Sequence, residues 1–203
     1  YFGNSEYEGL GMDIVNHCIN DILVMGARPL FFLDYFGTAR LNKVQFVALI
    51  KGMTKALSIV GHGLGPCPLI GGETAEMPLI YKPNKTDIVG CIIGKLDSEF
   101  INFPRKPGNG DLLYCLKSNG PHTNGFSLIN SLDLFDLNLS DSDIEEFKQC
   151  MITPHTNYLP IINELLNIYG RDFLIRMAHI TGGGLTDNLK RVIPENLEIV
   201  YDS

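Results

Sequence analysis

Glycine clusters placed directly after apolar runs limit what this chain can fold into more than any other feature. Gly71-Gly72 follows the apolar run 68–70, Gly120 and Gly125 bracket Pro121-His122-Thr123-Asn124 after the run 112–116, and Gly182-Gly183-Gly184 follows the run 174–180. Without a Cβ, glycine marks backbone that turns through φ > 0 or comes close to something. The chain holds 21 glycines in 203 residues, with no Gly-X-Y period and 11 prolines, which excludes collagen. Hydrophobic residues at 45%, charged residues at 19% and a mean hydropathy of +0.08 supply a core and exclude disorder as the main state. Apolar, strand-like runs alternate with helical patterns along the chain. The Pro-, Gly- and Lys/Arg-rich stretch 104–110 divides it into domains 1–104 and 105–203.

The formal net charge is -7 and the pI is near 5.1, without any basic run, so nucleic acid is not an expected partner. No stretch reaches the ~18 apolar residues of a membrane span, and the most apolar window, 30–36, is interrupted by Asp34. Cys18, Cys67, Cys91, Cys115 and Cys150 are scattered without a CxxC pair, which reads as buried free thiols in a reducing cytoplasm. No signal peptide is legible, and the sequons at Asn84 and Asn138 are short enough to arise by chance. Both ends read as unfinished: the chain starts at Tyr1, and the strand-like stretch 197–201 has almost nothing after it to pair with.

From residue 11 to 25 the apolar residues Ile14, Val15, Cys18, Ile19, Ile22 and Leu23 share one side of a helix at ~100° per residue, with Gly26 as its stop. Asp13, His17, Asn20 and Asp21 gather on the other side. A strand is expected at 30–35. Asn42 and Gln45 then make a capping box for a helix reaching about residue 60. Short strands follow at 68–70 and 88–96. In the second half, strands at 112–116 and 174–180 each lead through a glycine loop to a helix, at 126–132 and 185–192. A capped helix is expected near 143–150. Another ends at Tyr169-Gly170, its start open between Thr153-Pro154 and Pro160.

Three groups carry candidate chemistry. A strand, a glycine loop and a helix N-terminus at 181–184 form an anion site or a tight turn; neither a Walker A loop nor a GxGxxG fingerprint is present. Glu73 and Glu76, with Asp13, Asp21 and Asp34, offer hard oxygen donors for Mg²⁺, or are solvated acids on separate surfaces. His122, beside Asn124 in its glycine-flanked loop, can donate to a phosphate or move a proton near neutral pH, or simply face water. His62, His155 and His179 show no metal-ligand spacing and read as structural. Tyr35 and Phe36 read as core.

The segments around Gly11-Met12-Asp13-Ile14-Val15, Asn20-Asp21-Ile22-Leu23-Val24 and Pro29–Tyr35 resemble aminoimidazole ribonucleotide synthetase, the phosphoribosylformylglycinamidine cyclo-ligase family of purine synthesis. Leu69-Ile70-Gly71-Gly72-Glu73-Thr74-Ala75-Glu76-Met77-Pro78 resembles that family's most recognisable segment. Residues 118–127 are similar to its Ser-Gly-Pro-His-Ser-Asn-Gly-Tyr-Ser stretch, and 178–188 to its Ala-His-(Ile or Leu)-Thr-Gly-Gly-Gly run. The resemblance implies a two-domain α/β fold, a homodimer formed through the N-terminal sheet, ATP near that interface and a small-molecule substrate. Fusion to other purine-pathway domains is compatible with it. It assigns Asp13, Asp21, Asp34, Thr74 and Glu76 to ATP, and Asp21, Asp34 and Glu73 to Mg²⁺. It assigns catalysis to His122 and Asn124, and substrate or its phosphate to Gly182, Gly183 and Gly184. Two departures stand out: His17 occupies an ordinarily apolar position, and Thr123 replaces a serine. The family's Asp-Gly-Val-Gly-Thr-Lys segment has no counterpart in these residues. A non-catalytic scaffold keeping the fold, or a sister enzyme such as selenophosphate synthetase, are the competing readings.

Overall fold

The computed structural model describes residues 6–59, 65–96, 105–132 and 139–200. His62, Asn138, Pro104 and Tyr201 lie outside these ranges, so the readings placed on them are not addressed.

Helix α1 spans Glu6–Leu23, starting earlier than the apolar pattern alone indicates, because Glu6 and Glu8 put negative charge on the first turn. It stops where expected: Gly26 adopts φ 76° and its N–H donates to the Leu23 carbonyl at 2.7 Å. Strand β1 (Ala27–Thr38) follows, then α2 (Lys43–Ile59). The Asn42 side chain caps α2 by accepting from the N–H groups of Val44 and Gln45 at 3.1 and 3.3 Å. Strands β2 (Leu69–Glu76) and β3 (Thr86–Leu96) complete a sheet of order β2-β1-β3. β1 and β2 are parallel, joined through α2, and β3 runs antiparallel to β1.

Both helices lie on one face of this sheet. Val15, Ile19 and Leu23 of α1 and Leu49, Met53, Ala56 and Leu57 of α2 pack on Phe32 and Phe36 of β1. The i, i+4 spacing of the helical residues is what makes that apolar stripe. The helices cross closely at two glycines. A Cβ on Gly52 would overlap the Glu8 carbonyl, and one on Gly11 would overlap the Leu49 carbonyl. The opposite sheet face carries Val89, Cys91 and Ile93, all exposed, opposite Tyr35, Leu33 and Phe31. The cysteines are free as expected, but only Cys67 is buried; Cys91, Cys115 and Cys150 are exposed.

The second half is helical: α3 (Phe126–Ser131), α4 (Asp141–Ile152), α5 (Leu159–Tyr169), a 3₁₀ turn at Arg171–Phe173 and α6 (Gly184–Leu189). Ser140 and Asp143 form a complete capping box on α4. Pro160 falls in the first turn of α5, where no amide is needed, and this settles the start of that helix. Leu159 and Ile162 join α5 to the main core.

Several sequence expectations are corrected. The strand expected at 68–70 runs further: Gly71-Gly72-Glu73-Thr74-Ala75-Glu76 makes up most of β2, laddered to β1. Glycine at position 72 serves a close approach there, since a Cβ would overlap the Asp34 carboxylate. The stretches 112–116, 174–180 and 197–200 are not strands: among the described residues none finds a ladder partner, and an unpaired segment has nowhere to place its backbone hydrogen bonds in a sheet. Leu112, Leu113, Tyr114 and Leu116 are consequently exposed. Helix α6 is shorter than the expected 185–192.

Candidate functional site

The polar side of α1 is the spine of the site. Asn16 and Asn20, both buried, reach across to a non-helical segment of the second half. The Asn16 amide donates to the His155 carbonyl at 2.6 Å, and that of Asn20 to the Thr156 carbonyl at 2.8 Å. The Asn20 side-chain oxygen accepts from the Tyr158 N–H at 3.1 Å, and the Asp13 carboxylate accepts from the His155 N–H at 2.6 Å. Each bond satisfies a main-chain group that no helix or sheet provides for. Asn20→Ala leaves the Thr156 carbonyl and Tyr158 amide without partners. At ~1–3 kcal/mol for each buried orphan, we expect a loss of ~2–4 kcal/mol in urea unfolding; a change below ~0.5 kcal/mol would contradict the bridging role.

Against this spine stand four of the five histidines. The ring of His155 lies 4.0 Å from that of His122, 5.5 Å from that of His17 and 5.7 Å from that of His179, centroid to centroid. One ring nitrogen from each of His17, His155 and His179 lies within 4.8 Å of the others. Asp21 holds two of the rings, with one oxygen 2.7 Å from His179 Nδ1 and the other 3.3 Å from His17 Nε2. Thr123 Oγ1 is 2.8 Å from His17 Nδ1. His122 and Thr123 both have positive φ, 49° and 60°, a conformation that β-branched threonine in particular avoids. His122 Nε2 meets the Asn119 side chain, and the Asn124 amide donates to the His122 carbonyl at 2.7 Å.

Burial is the main cause of the charge states here. It pushes the Asp13 carboxyl up from 3.8 to about 6, against the His155 N–H that favours the charged form. It pushes His155 down from 6.5 to about 3, helped by the neighbouring imidazoles, and lowers His17 and His122 as well. The signs oppose. The folded state takes up fewer protons than the unfolded chain at the lowered histidines, so stability falls as pH drops below 6.5. At Asp13 it takes up more, so stability rises as pH drops through about 6. The full difference between the two displacements is reached only below about pH 3; by pH 4 the His155 loss outweighs the Asp13 gain by ~1 kcal/mol, and the lowered His17 and His122 act in the same direction. We expect unfolding free energy to fall by ~1 kcal/mol or more from pH 7 to pH 4. A flat or rising profile over that range in urea titrations would overturn this balance.

The other expected site residues fall into two places. Gly182, Gly183 and Gly184 lie just beyond His179. Buried Asn188 donates to the carbonyls of Thr181, Gly182 and Gly184 at 3.3, 3.2 and 2.7 Å, and Asp187 lies against Gly183. Asp34, Thr74 and Glu76 share the helix-facing side of the sheet: Asp34 pairs with Gly72, Phe36 with Thr74 and Thr38 with Glu76. Glu76 accepts from the Leu41 N–H at 2.6 Å. Burial raises the Asp34 carboxyl. Glu73 pairs with Tyr35 and so points to the opposite face. Asp21, Asp34 and Glu73 are therefore not gathered into one set of ligands within the chain.

Sequence reasoning did not bring His17, His155 and His179 together, and read the last two as structural. They come from α1 and from two separate segments of the second half, so no spacing rule links them. The only signal was the polar His17 at an ordinarily apolar position.

The model of the AIR synthase related protein N-terminal domain matches residues 1–96, and that of the AIR synthase related protein C-terminal domain matches 108–203. The chain is 40% identical over 195 residues to a phosphoribosylformylglycinamidine cyclo-ligase of Prochlorococcus marinus (strain MIT 9301), covering 92% of this chain and 53% of the relative. It is 39% identical over 201 residues to one of Xylella fastidiosa (strain 9a5c), covering 98% and 56%. A third, of Xanthomonas campestris pv. campestris (strain 8004), is 38% identical over 202 residues, covering 97% and 57%. The chain thus spans about half the length of the curated relatives it matches.

Proposed function

We propose, from the premise that this chain belongs to the AIR synthase related protein family, that the complete protein closes an imidazole ring at the expense of ATP. The substrate is formylglycinamidine ribonucleotide and the products are aminoimidazole ribonucleotide, ADP and phosphate. The observation that carries this reading is the match of both family domains, in order, with relatives near 40% identity named as that cyclo-ligase. Residues 1–104 serve as the nucleotide-binding domain and 105–203 as the beginning of the second.

The chemistry needs little covalent help from the protein. The amide oxygen of the substrate takes the γ-phosphoryl group of ATP, which turns a poor leaving oxygen into phosphate. A nitrogen of the amidine then attacks that carbon and phosphate departs. Phosphoryl transfer of this kind depends on positioning and charge neutralisation. His122 and Asn124, beside the α1 spine, take the proton-moving and substrate-orienting roles. The peptide groups of Gly182–Gly184 face substrate. Asp34, Thr74 and Glu76 serve ATP. An accompanying Mg²⁺ would require oxygen donors that converge, and Asp21, Asp34 and Glu73 do not converge within one chain. Asp21 belongs with the imidazoles, and Glu73 opens onto the other face of the sheet. The exposed Val89, Cys91 and Ile93 on that face support a homodimer formed through it. No helix among the described residues is long and apolar enough to cross a membrane; the proposed setting is the cytoplasm.

The test is substrate dependence in the complete protein. ADP should appear only when formylglycinamidine ribonucleotide is supplied, one per ring closed. ATP turnover driven by selenide or by glutamine would assign the protein to a sister activity, and nucleotide binding without any product would make it a scaffold.

A further inference from the structure

We propose that His17, His155 and His179, with Asp21, bind one divalent transition-metal ion of the zinc type that staples α1 to the second half of the chain. The argument starts from the unpartnered nitrogens. His155 is 2% exposed and neither of its ring nitrogens has a hydrogen-bond partner; buried Nε2 of His179 has none either. Each buried, unsatisfied polar atom is worth ~1–3 kcal/mol against the fold, and one shared ion would satisfy His179 Nε2 and one of the two His155 nitrogens.

The contacts around the cluster show which nitrogens face it. The Asp21 carboxylate accepts from Nδ1–H of His179, which leaves His179 Nε2 as a lone pair without a partner. Thr123 Oγ1 holds His17 Nδ1 at 2.8 Å, which leaves His17 Nε2 facing the second Asp21 oxygen at 3.3 Å.

A shared cation fits these separations. Ligands held at ~2.0–2.1 Å around a tetrahedral zinc lie ~3.3 Å from one another, which is the His17–Asp21 separation. The three ring nitrogens, within 4.8 Å, have to close by ~1 Å or a little more. Three imidazoles and a carboxylate suit zinc, cobalt or nickel rather than magnesium, which prefers oxygen. The contact of Asp21 with His179 is the carboxylate–histidine support common behind metal-bound imidazoles. Its consequence is mechanical: His17 and Asp21 lie on α1, and His155 and His179 lie in the second half.

The test uses chelator-stripped protein titrated with Zn²⁺ and with Co²⁺. One equivalent should bind and raise the melting temperature, and X-ray absorption should show a nitrogen/oxygen shell at ~2.0–2.1 Å without a sulfur shell at ~2.3 Å. His17→Ala and His179→Gln should each weaken binding at least 100-fold. His17 is partly exposed, so its variant should fold, as checked by circular dichroism. Absence of binding, a sulfur shell from the free cysteines, or unchanged affinity in a folded His17→Ala would each overturn the site.

Discussion

Gly52→Ala should destabilise the protein by ~2 kcal/mol or more, although alanine is the better helix former. In a helix interior the exchange by itself favours alanine by ~1 kcal/mol. Here the new methyl group would overlap the Glu8 carbonyl oxygen across the α1–α2 crossing. That oxygen is backbone and cannot rotate aside, so the helices must separate. Overpacking of a close contact costs ~1–3 kcal/mol and sometimes more, and a main-chain clash belongs at the top of that range. Gly11→Ala meets the Leu49 carbonyl and the Met53 amide and should behave alike. Urea unfolding reads both; a Gly52→Ala protein within ~0.5 kcal/mol of the parent would show that the helices do not cross at this distance. The effect reaches the site, because α1 carries Asn16, His17, Asn20 and Asp21.

The second large effect concerns His122. On the proposed mechanism its imidazole moves a proton during ring closure, and a positioned acid–base group is worth ~10²–10⁴ in rate. His122→Gln should lower kcat by that factor in the complete protein, with KM changed much less. A glutamine keeps part of the packing on His155, whose ring lies 4.0 Å away, so melting temperature separates lost chemistry from lost fold. The pH–rate profile adds a readout that packing alone would not move: the limb belonging to the histidine should disappear. A rate within threefold of the parent would remove His122 from the mechanism.

Much of the first half was legible because its signals are local. The apolar stripe of α1, the Gly26 stop and the Asn42 cap each depend on residues within a turn or two. β3 was expected as well, and its half-buried and exposed residues alternate strictly at period two through Lys95. Where reading failed, the deciding partner was remote. Gly71-Gly72 ended the expected strand at residue 70 because glycine is a breaker in isolation; the ladder with β1 and the Asp34 side chain over Gly72 override that preference. Residues 112–116 and 174–180 have strand composition, but composition does not supply a neighbouring strand. The site divides in the same way. His122, Asn124 and the 181–184 glycines were visible as loop motifs. The four-histidine cluster was not, because folding brings residues 17, 122, 155 and 179 together over separations that no spacing pattern encodes. Asp21 illustrates both cases: its place on the polar face of α1 was readable, while its bonds to His17 and His179 were not.

The most direct test of the cyclo-ligase reading follows one oxygen atom. Substrate carrying ¹⁸O in its formyl amide is turned over by the complete protein with ATP, and the inorganic phosphate is examined by mass spectrometry. Phosphorylation of the amide oxygen followed by ring closure predicts one labelled oxygen in phosphate for every aminoimidazole ribonucleotide formed. Ring closure with the label released to water, or ATP hydrolysis without ring closure, would contradict it.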